Sequence, residues 1–388
     1  MKKLDSFNQS IKVPAYVPWI SKEDKDAVLK SLSQTMLTLG PTLEKFESMF
    51  AKYTKSKHAV AVSNCTAALH LSLKALGIEK GDEVIIPDLS FIADANAVIA
   101  TGAIPVLADI ENDGFSISIK SIKQKITRKT KAIIPIHIYG EVCKIMEIHD
   151  IAKSNNISVV EDCAHAIGTF YKGKHVGNFG SMGCFSFYPT KNMTTAEGGM
   201  VITDSSKLAE KVRQLRSHGM TKSLAKRYSS KYPWLFDVKE PGYNYRLDEI
   251  RSALGISQLR RINKINALRK KAAAYYTTNL AKAKGIIIPR IVDDKSHSYH
   301  LYTIRVTKSF GMSRDRLYNL LRKNGIRTTL YWTPIHEYTA YKKFVKNSSD
   351  YTNTKKTYEE ILALPLYPTI SRSKQKRVID CIIRNSKN

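Results

Sequence analysis

Ser158-Val159-Val160-Glu161-Asp162-Cys163-Ala164-His165 reads as a short apolar strand, 158–161, that ends in two acids. Working outward, the same pattern recurs. Runs at 58–62, 83–87, 104–108, 132–138, 183–187 and 200–203 are rich in Val, Ile and Phe and bounded by Gly, Asp, Asn or Pro. Helical stretches lie between them. In 66–76, Leu69, Leu73 and Leu76 recur at i, i+4 and i+7, and 145–155 is a second such stretch. This alternation predicts an α/β fold with a mostly parallel sheet covered by helices on both faces. Ligands of such sheets bind beyond the carboxyl ends of the strands. At least one of the two acids ending 158–162 therefore falls at that edge.

Beyond residue 203 the texture changes. The stretch 217–245 is polar, basic and aromatic, with Pro233, Pro241 and Gly242, and reads as a long functional loop. Residues 247–283 read as one long or kinked helix carrying Ile250, Leu254, Ile256, Leu259 and Ile262. The remainder mixes a strand at 302–306 with helices at 314–324 and 374–384. The expected organisation is an N-terminal arm (1–40) with one helix at 22–33 that packs elsewhere on the molecule, a large domain (41–250), and a smaller α+β C-terminal domain (251–388) with a long connecting helix. A chain of 388 residues has room for two or three domains.

Composition narrows the classes. No stretch approaches the ~20 apolar residues of a membrane span; the best, 97–108, is broken by Gly102 and Pro105. No apolar block follows Met1-Lys2-Lys3, which argues against a secretory leader. Cys65, Cys143, Cys163, Cys184 and Cys381 are few, odd in number and widely spaced, which fits a reducing compartment. A cytoplasmic location is expected. Lys and Arg total 62 against 34 Asp and Glu, a formal net charge of +28. Residues 1–200 carry 23 basic and 20 acidic side chains, residues 201–388 carry 39 and 14. Such a surplus suggests a nucleic-acid partner. The basic residues are scattered, however, and no helix-turn-helix or aromatic RNA-binding motif accompanies them, so nucleic-acid binding is a remote alternative.

Three segments carry chemistry. Ser63-Asn64-Cys65-Thr66-Ala67-Ala68 closes a strand and opens a helix, where free N–H groups and the dipole suit a phosphate; plain helix capping is the simpler alternative. Asp162 can hold a cationic ring nitrogen, or can cap a helix. Cys184-Phe185-Ser186-Phe187-Tyr188-Pro189-Thr190-Lys191-Asn192 delivers Lys191 into a short loop beside an apolar wall. A desolvated lysine has a lowered pKa and can form a Schiff base; most lysines are simply solvated. Phosphate cradle, strand-end carboxylate and buried lysine, in this order, are the parts needed to hold pyridoxal 5'-phosphate (PLP).

The chain resembles the DegT/DnrJ/EryC1/StrS family of PLP-dependent nucleotide-sugar aminotransferases from about Leu37 to Tyr367. The resemblance is carried by Leu39-Gly40-Pro41, Phe46-Glu47, the segment 63–71, Gly81-Asp82-Glu83-Val84-Ile85-Ile86-Pro87 with Phe91, and His137-Ile138-Tyr139-Gly140. It continues through 161–168, 185–192, Glu197-Gly198-Gly199 and 242–255. It implies a fold type I transferase and a homodimer with shared active sites. It also implies that Lys191 is the Schiff-base lysine, Asp162 the acid on the ring nitrogen, and Ser186, Cys65 and Thr66 phosphate ligands. Phe91 would stack on the ring, and Asn244 would reach the phosphate from the neighbouring subunit. Arg246 would serve an anionic group or a structural carboxylate, and His336 would lie near the sugar. Three positions depart from the family pattern. Cys65 replaces a usual Gly. His165 replaces Gln or Glu near the phenolic oxygen. Asp94 stands where a small or hydroxyl residue is commoner; it is a helix N-terminal acid or touches an amine. A related branch carries His at the lysine position and is dehydratase-like; Lys191 favours transamination. The expected reaction moves an amino group from glutamate to the keto carbon of a nucleotide-linked deoxy-keto-sugar, for amino-sugar and surface-polysaccharide synthesis. A PLP-dependent sugar dehydratase and a non-catalytic PLP-binding regulator are the alternatives; no metal and no membrane partner are expected.

Overall fold

The apolar runs become strands because both faces of the sheet they form are covered. The computed structural model describes residues 11–221, 231–232, 234–290, 297–345 and 347–386. Seven strands make the main sheet: β1 (His58–Val62), β2 (Glu83–Pro87), β3 (Ile104–Ala108), β4 (Thr130–Ile133), β5 (Ser158–Asp162), β8 (Met182–Ser186) and β9 (Gly199–Thr203). A small hairpin of β6 (Phe170–Tyr171) and β7 (Lys174–His175) lies between β5 and β8. The order across the sheet is β1-β9-β8-β5-β4-β2-β3. All neighbours are parallel except β9, which runs antiparallel to both β1 and β8. Because β9 reverses twice, β1, β8 and β5 point the same way, and their carboxyl ends share one edge.

Alternation along the strands explains the burial. Val60 and Val62 enter one core with Val84, Ile86, Val160 and Val201, while Ala59 and Ala61 enter another with Phe185, Met200 and Ile202. Side chains alternate between faces, so both faces are apolar and both need helices. Phe46, Phe50, Phe185 and Phe187 pack ring against ring at 5.1–6.3 Å. Burying each ring contributes about 1.5–3 kcal/mol. The Glu249–Arg260 helix closes on this cluster at Gly255, where a Cβ would stand 2.6 Å from the Phe46 ring.

The structure refines four expectations. The strand expected over 132–138 ends at Ile133, because Pro135 has no N–H to offer the ladder. The chain still follows the end of β5: Asp162 N–H donates to Pro135 O at 2.9 Å and His137 N–H donates to Asp162 O at 3.0 Å. The long helix is two helices, Glu249–Arg260 and Ile262–Leu280, broken at Arg261 (φ −108°, ψ 2°). The loop 217–245 is partly paired, through Ser217 with Asn244 and Met220 with Val238; Pro233 and the stretch 222–230 lie outside the described residues. The arm does pack elsewhere. Its Lys22–Leu32 helix is held by buried Asp24, which accepts from Gln258 Nε2 at 2.7 Å and pairs with Arg261.

A second, antiparallel sheet joins β10 (Ile286–Ile287), β11 (Tyr302–Val306) and β12 (Ile361–Leu364). With the Arg314–Lys323 and Arg372–Ile383 helices it encloses a separate core that includes Tyr276, Tyr302, Leu317, Leu362 and Val378, and also Val13 of the arm. Among the described residues, no helix is long and apolar enough to cross a membrane.

Candidate active site

The shared strand edge gathers four separated segments around a cavity of about 900 Å³. From the end of β1 come Asn64, Cys65 and Thr66; from β5, Asp162 and His165; from β8 and its loop, Ser186 and Lys191; and from the loop after β2, Ser90, Phe91 and Asp94. Each turn has a local cause. Asn64 caps the Cys65–Ala75 helix by accepting from Ala67 N–H at 2.8 Å. The N–H groups of Cys65 and Thr66 are the first two of that helix and have no carbonyl of their own helix to bond. This turn lies directly on β9: a Cβ on Gly199 would stand 2.5 Å from Asn64 carbonyl atoms and 2.9 Å from Cys65 N.

Lys191 follows a tight turn in which its own N–H donates to Tyr188 O at 2.9 Å. The next residue anchors the loop. Asn192 Nδ2 donates to Asn266 Oδ1 at 2.7 Å and to Ser298 O at 2.9 Å, tying it to the Ile262–Leu280 helix. Among the described residues, the Lys191 ammonium has no hydrogen-bond or ion-pair partner. Burial lowers its pKa to about 8, although Asp162, Cys65 and Asp94 all pull the other way.

The two acids of 161–162 separate by strand alternation. Glu161 points away from the cavity and accepts from His137 Nε2 at 2.9 Å, Gly177 N–H at 2.8 Å, and the N–H groups of Phe179 and Gly180 at 2.6 Å each. It holds the chain entering β8. His137, Glu161 and Cys163 cluster closely enough for a metal. The ligand atoms of His137 and Glu161 are already used, however, since Glu161 is fully bonded and His137 Nδ1 also accepts from Cys143 N–H at 3.3 Å. Asp162 faces the cavity, and its Oδ1 accepts from Ala164 N–H at 2.7 Å. It braces a turn; no helix follows it to be capped. Burial raises its carboxyl, opposed by that N–H and by Lys191.

His165 lies between aromatic planes, with His300 at 4.3 Å and Trp332 at 5.5 Å. Its Nδ1 accepts from Tyr139 N–H at 3.1 Å, which places the proton of the neutral ring on Nε2. Burial, and then the charge of Lys191, hold it well below the ordinary histidine pKa, so it is neutral. Cys65 lines the cavity with a thiol that burial keeps protonated. Phe91 is half exposed at the mouth, 5.7 Å from the Trp332 ring.

An unpaired amine of low pKa, a carboxyl at a strand end, and the open start of a helix converge on one cavity, a donor set that fits an aldehyde, a cationic ring nitrogen and a phosphate. The model of the DegT/DnrJ/EryC1/StrS aminotransferase family matches residues 18–383. The chain belongs to this family. It is a PLP-dependent sugar aminotransferase by that membership. The spore coat polysaccharide biosynthesis protein SpsC of Bacillus subtilis is 39% identical over 373 residues, 95% of this chain and 96% of SpsC. GDP-perosamine synthase of Vibrio cholerae is 34% identical over 375 residues, 95% of this chain and 98% of its own. The PLP-form of Spr1654 from Streptococcus pneumoniae superimposes with a TM-score of 0.88 at 29% identity, covering 96% of this chain and 98% of that one.

In this DegT/DnrJ/EryC1/StrS aminotransferase the remaining expected residues lie elsewhere. Asn244 and Arg246 do not line the chain's own cavity; their side chains bond each other, Arg246 Nε donating to Asn244 Oδ1 at 2.8 Å. Tyr245 between them does line it. His336 is buried outside the cavity, with Nδ1 2.6 Å from Asp88 Oδ2 and its own N–H donating to Asp88 Oδ1 at 2.9 Å. It anchors the 331–338 segment to the end of β2, and Tyr331 and Trp332 of that segment reach the cavity instead. Sequence reasoning reached that segment through His336 without singling out those two, and it assigned no role to Ser90, Asn192 or His300. The adjacency of Asn192 to Lys191 was the one available signal.

Proposed function

We propose that this aminotransferase moves an amino group from glutamate to the keto carbon of a nucleotide-linked deoxy-keto-sugar, supplying amino sugars for surface polysaccharide. The named roles of SpsC and GDP-perosamine synthase support the substrate class. The observation that carries the chemistry is Lys191, desolvated, unpaired among the described residues, and set between Asp162 and the Cys65–Ala75 helix start.

The roles follow from position. Cys65 and Thr66 N–H groups and the Ser186 hydroxyl bind the phosphate. Asp162 takes the ring nitrogen, and His165 offers its Nε2 proton to the phenolic oxygen. Phe91 covers one face of the ring. When bound, the cofactor supplies an electron-withdrawing ring that acidifies the carbon beside the amine. Lys191 Nζ, with a pKa near 8, holds its link to the cofactor at rest and otherwise carries the proton to and from that carbon. Stacked Trp332, His165 and His300 exclude water from this side.

The same reading makes the enzyme a cytoplasmic homodimer. Asn244 and Arg246, turned from their own cavity, then serve the neighbouring subunit, Asn244 at the phosphate and Arg246 at an anionic group. Glutamate is the donor and the keto-sugar the acceptor; the division into 1–40, 41–250 and 251–388 belongs to this proposal too. Lys191→Ala tests its centre. The variant should keep its circular dichroism spectrum and lose the visible absorbance of lysine-bound cofactor. Retention of that absorbance sinks the assignment. Incubating the wild type with glutamate and a panel of nucleotide-linked keto-sugars, read by mass spectrometry, identifies the acceptor.

A further inference from the structure

Asp94, in the first turn of the Ala93–Ala100 helix, has no part in the roles above, yet it lies in the same cavity as Asp162 and is almost fully buried. Ser90 Oγ donates to its Oδ2. Its Oδ1 is buried with no hydrogen-bond donor among the described residues. An ionised carboxylate left bare in this way is costly, whereas a protonated oxygen needs only an acceptor. The acceptor at hand is Asp162, whose carboxyl interacts directly with that of Asp94.

We propose that Asp94 is a positioning residue: a neutral carboxylic acid that donates its proton to the ionised Asp162 carboxylate and fixes it for the cofactor's ring nitrogen. The charged and titratable groups acting on this pair are Lys191, the Cys65, Cys163 and Cys184 thiols, and His137. All three thiols are protonated, raised first by burial. One ammonium thus faces two carboxyls, and only one negative charge is balanced. The helix N-terminus and the Ser90 hydroxyl favour ionised Asp94, but burial and the charge of Asp162 outweigh them and hold its carboxyl well above the ordinary range. With Ala164 N–H on Oδ1, a donor from Asp94 leaves the Asp162 carboxylate one orientation and offers its free lone pairs to the ring.

The inference rests on Asp162 as the partner of the ring nitrogen, and the test separates the two. In cofactor-free protein at neutral pH, an infrared difference spectrum of wild type against Asp94→Asn should show loss of a protonated-carboxyl carbonyl band. Loss of carboxylate bands alone overturns the proposal. In full-length protein titrated with PLP, Asp94→Asn, which keeps an N–H donor, should bind within about threefold of wild type and keep its absorbance maximum. Asp94→Ala should bind about tenfold or more weakly, the loss of a hydrogen bond to a charged group. Equal losses in both variants overturn the positioning role. Asp162→Asn should weaken binding and shift the absorbance whatever Asp94 does; an unchanged Asp162→Asn spectrum overturns the ring-nitrogen assignment itself, and the proposal with it.

Discussion

Lys191 owes its low pKa to what surrounds it. An ordinary lysine holds its proton to about pH 10.4; here burial brings the value to about 8 against three opposing groups. At pH 7 roughly a tenth of the amine is neutral. The folded pKa is depressed, so the reactive, neutral fraction grows as pH rises and is nearly complete by about pH 9. The rate of PLP capture, followed by stopped-flow absorbance, should therefore climb roughly tenfold from pH 6 to pH 7 and level off above about 8. A flat profile over pH 6–8 would mean that the amine is not the titrating group. Lys191 and Asp162 were legible because each ends or follows an apolar strand. The residues alone did not separate Glu161 from Asp162; the family resemblance did. Both are acids at a strand end, and only alternation sends one to the cavity and the other to the N–H groups of Gly177, Phe179 and Gly180. The Asp88 anchor of His336 was hidden for a similar reason, since the two lie 248 residues apart in the chain.

At the scale of elements, the site depends on how tightly the Cys65–Ala75 helix start sits on β9. Gly199 has no room for a side chain there. Gly199→Ala should push the Asn64–Cys65 turn outward, cost about 1–3 kcal/mol of stability, and weaken PLP binding through displaced N–H donors. Thermal melts and a PLP titration measure the two effects; a variant with wild-type values in both would show that the turn can yield. The strands were readable because Val and Ile runs between turn residues need two apolar faces. β4 was overread past Ile133 because the apolar run continues through Ile134, Ile136 and Ile138 while Pro135 ends the ladder. A kink in 247–283 was one of two readings, but its place at Arg261 was not readable, since the apolar residues continue across it without Gly or Pro.

The whole molecule carries the prediction that sites are shared. Asn244→Ala should weaken cofactor binding, and Lys191→Ala should be inactive. Mixed after dissociation, half the dimers are mixed, and each has one site with both residues intact, so about a quarter of wild-type activity should return. Activity that stays at zero in a verified mixed dimer would mean that each chain completes its own site. The charge asymmetry belongs to this scale as well. The proposed cofactor residues from Cys65 to Lys191 fall in the nearly balanced half, and the 217–245 loop falls in the strongly basic one.

Local sequence by itself determined the strands, the helix that opens at Cys65, the turn that presents Lys191, and the family to which these motifs belong. Those features rest on interactions between residues close in the chain. Tertiary structure alone decided that Glu161 holds the turn entering β8, that His165 is neutral with its proton on Nε2, that His336 is an anchor, and that Asp94 stands against Asp162. Each of these depends on burial and on partners tens to hundreds of residues away. Desolvation and pairing between such partners exist only once the sheet has brought its strand ends to one edge.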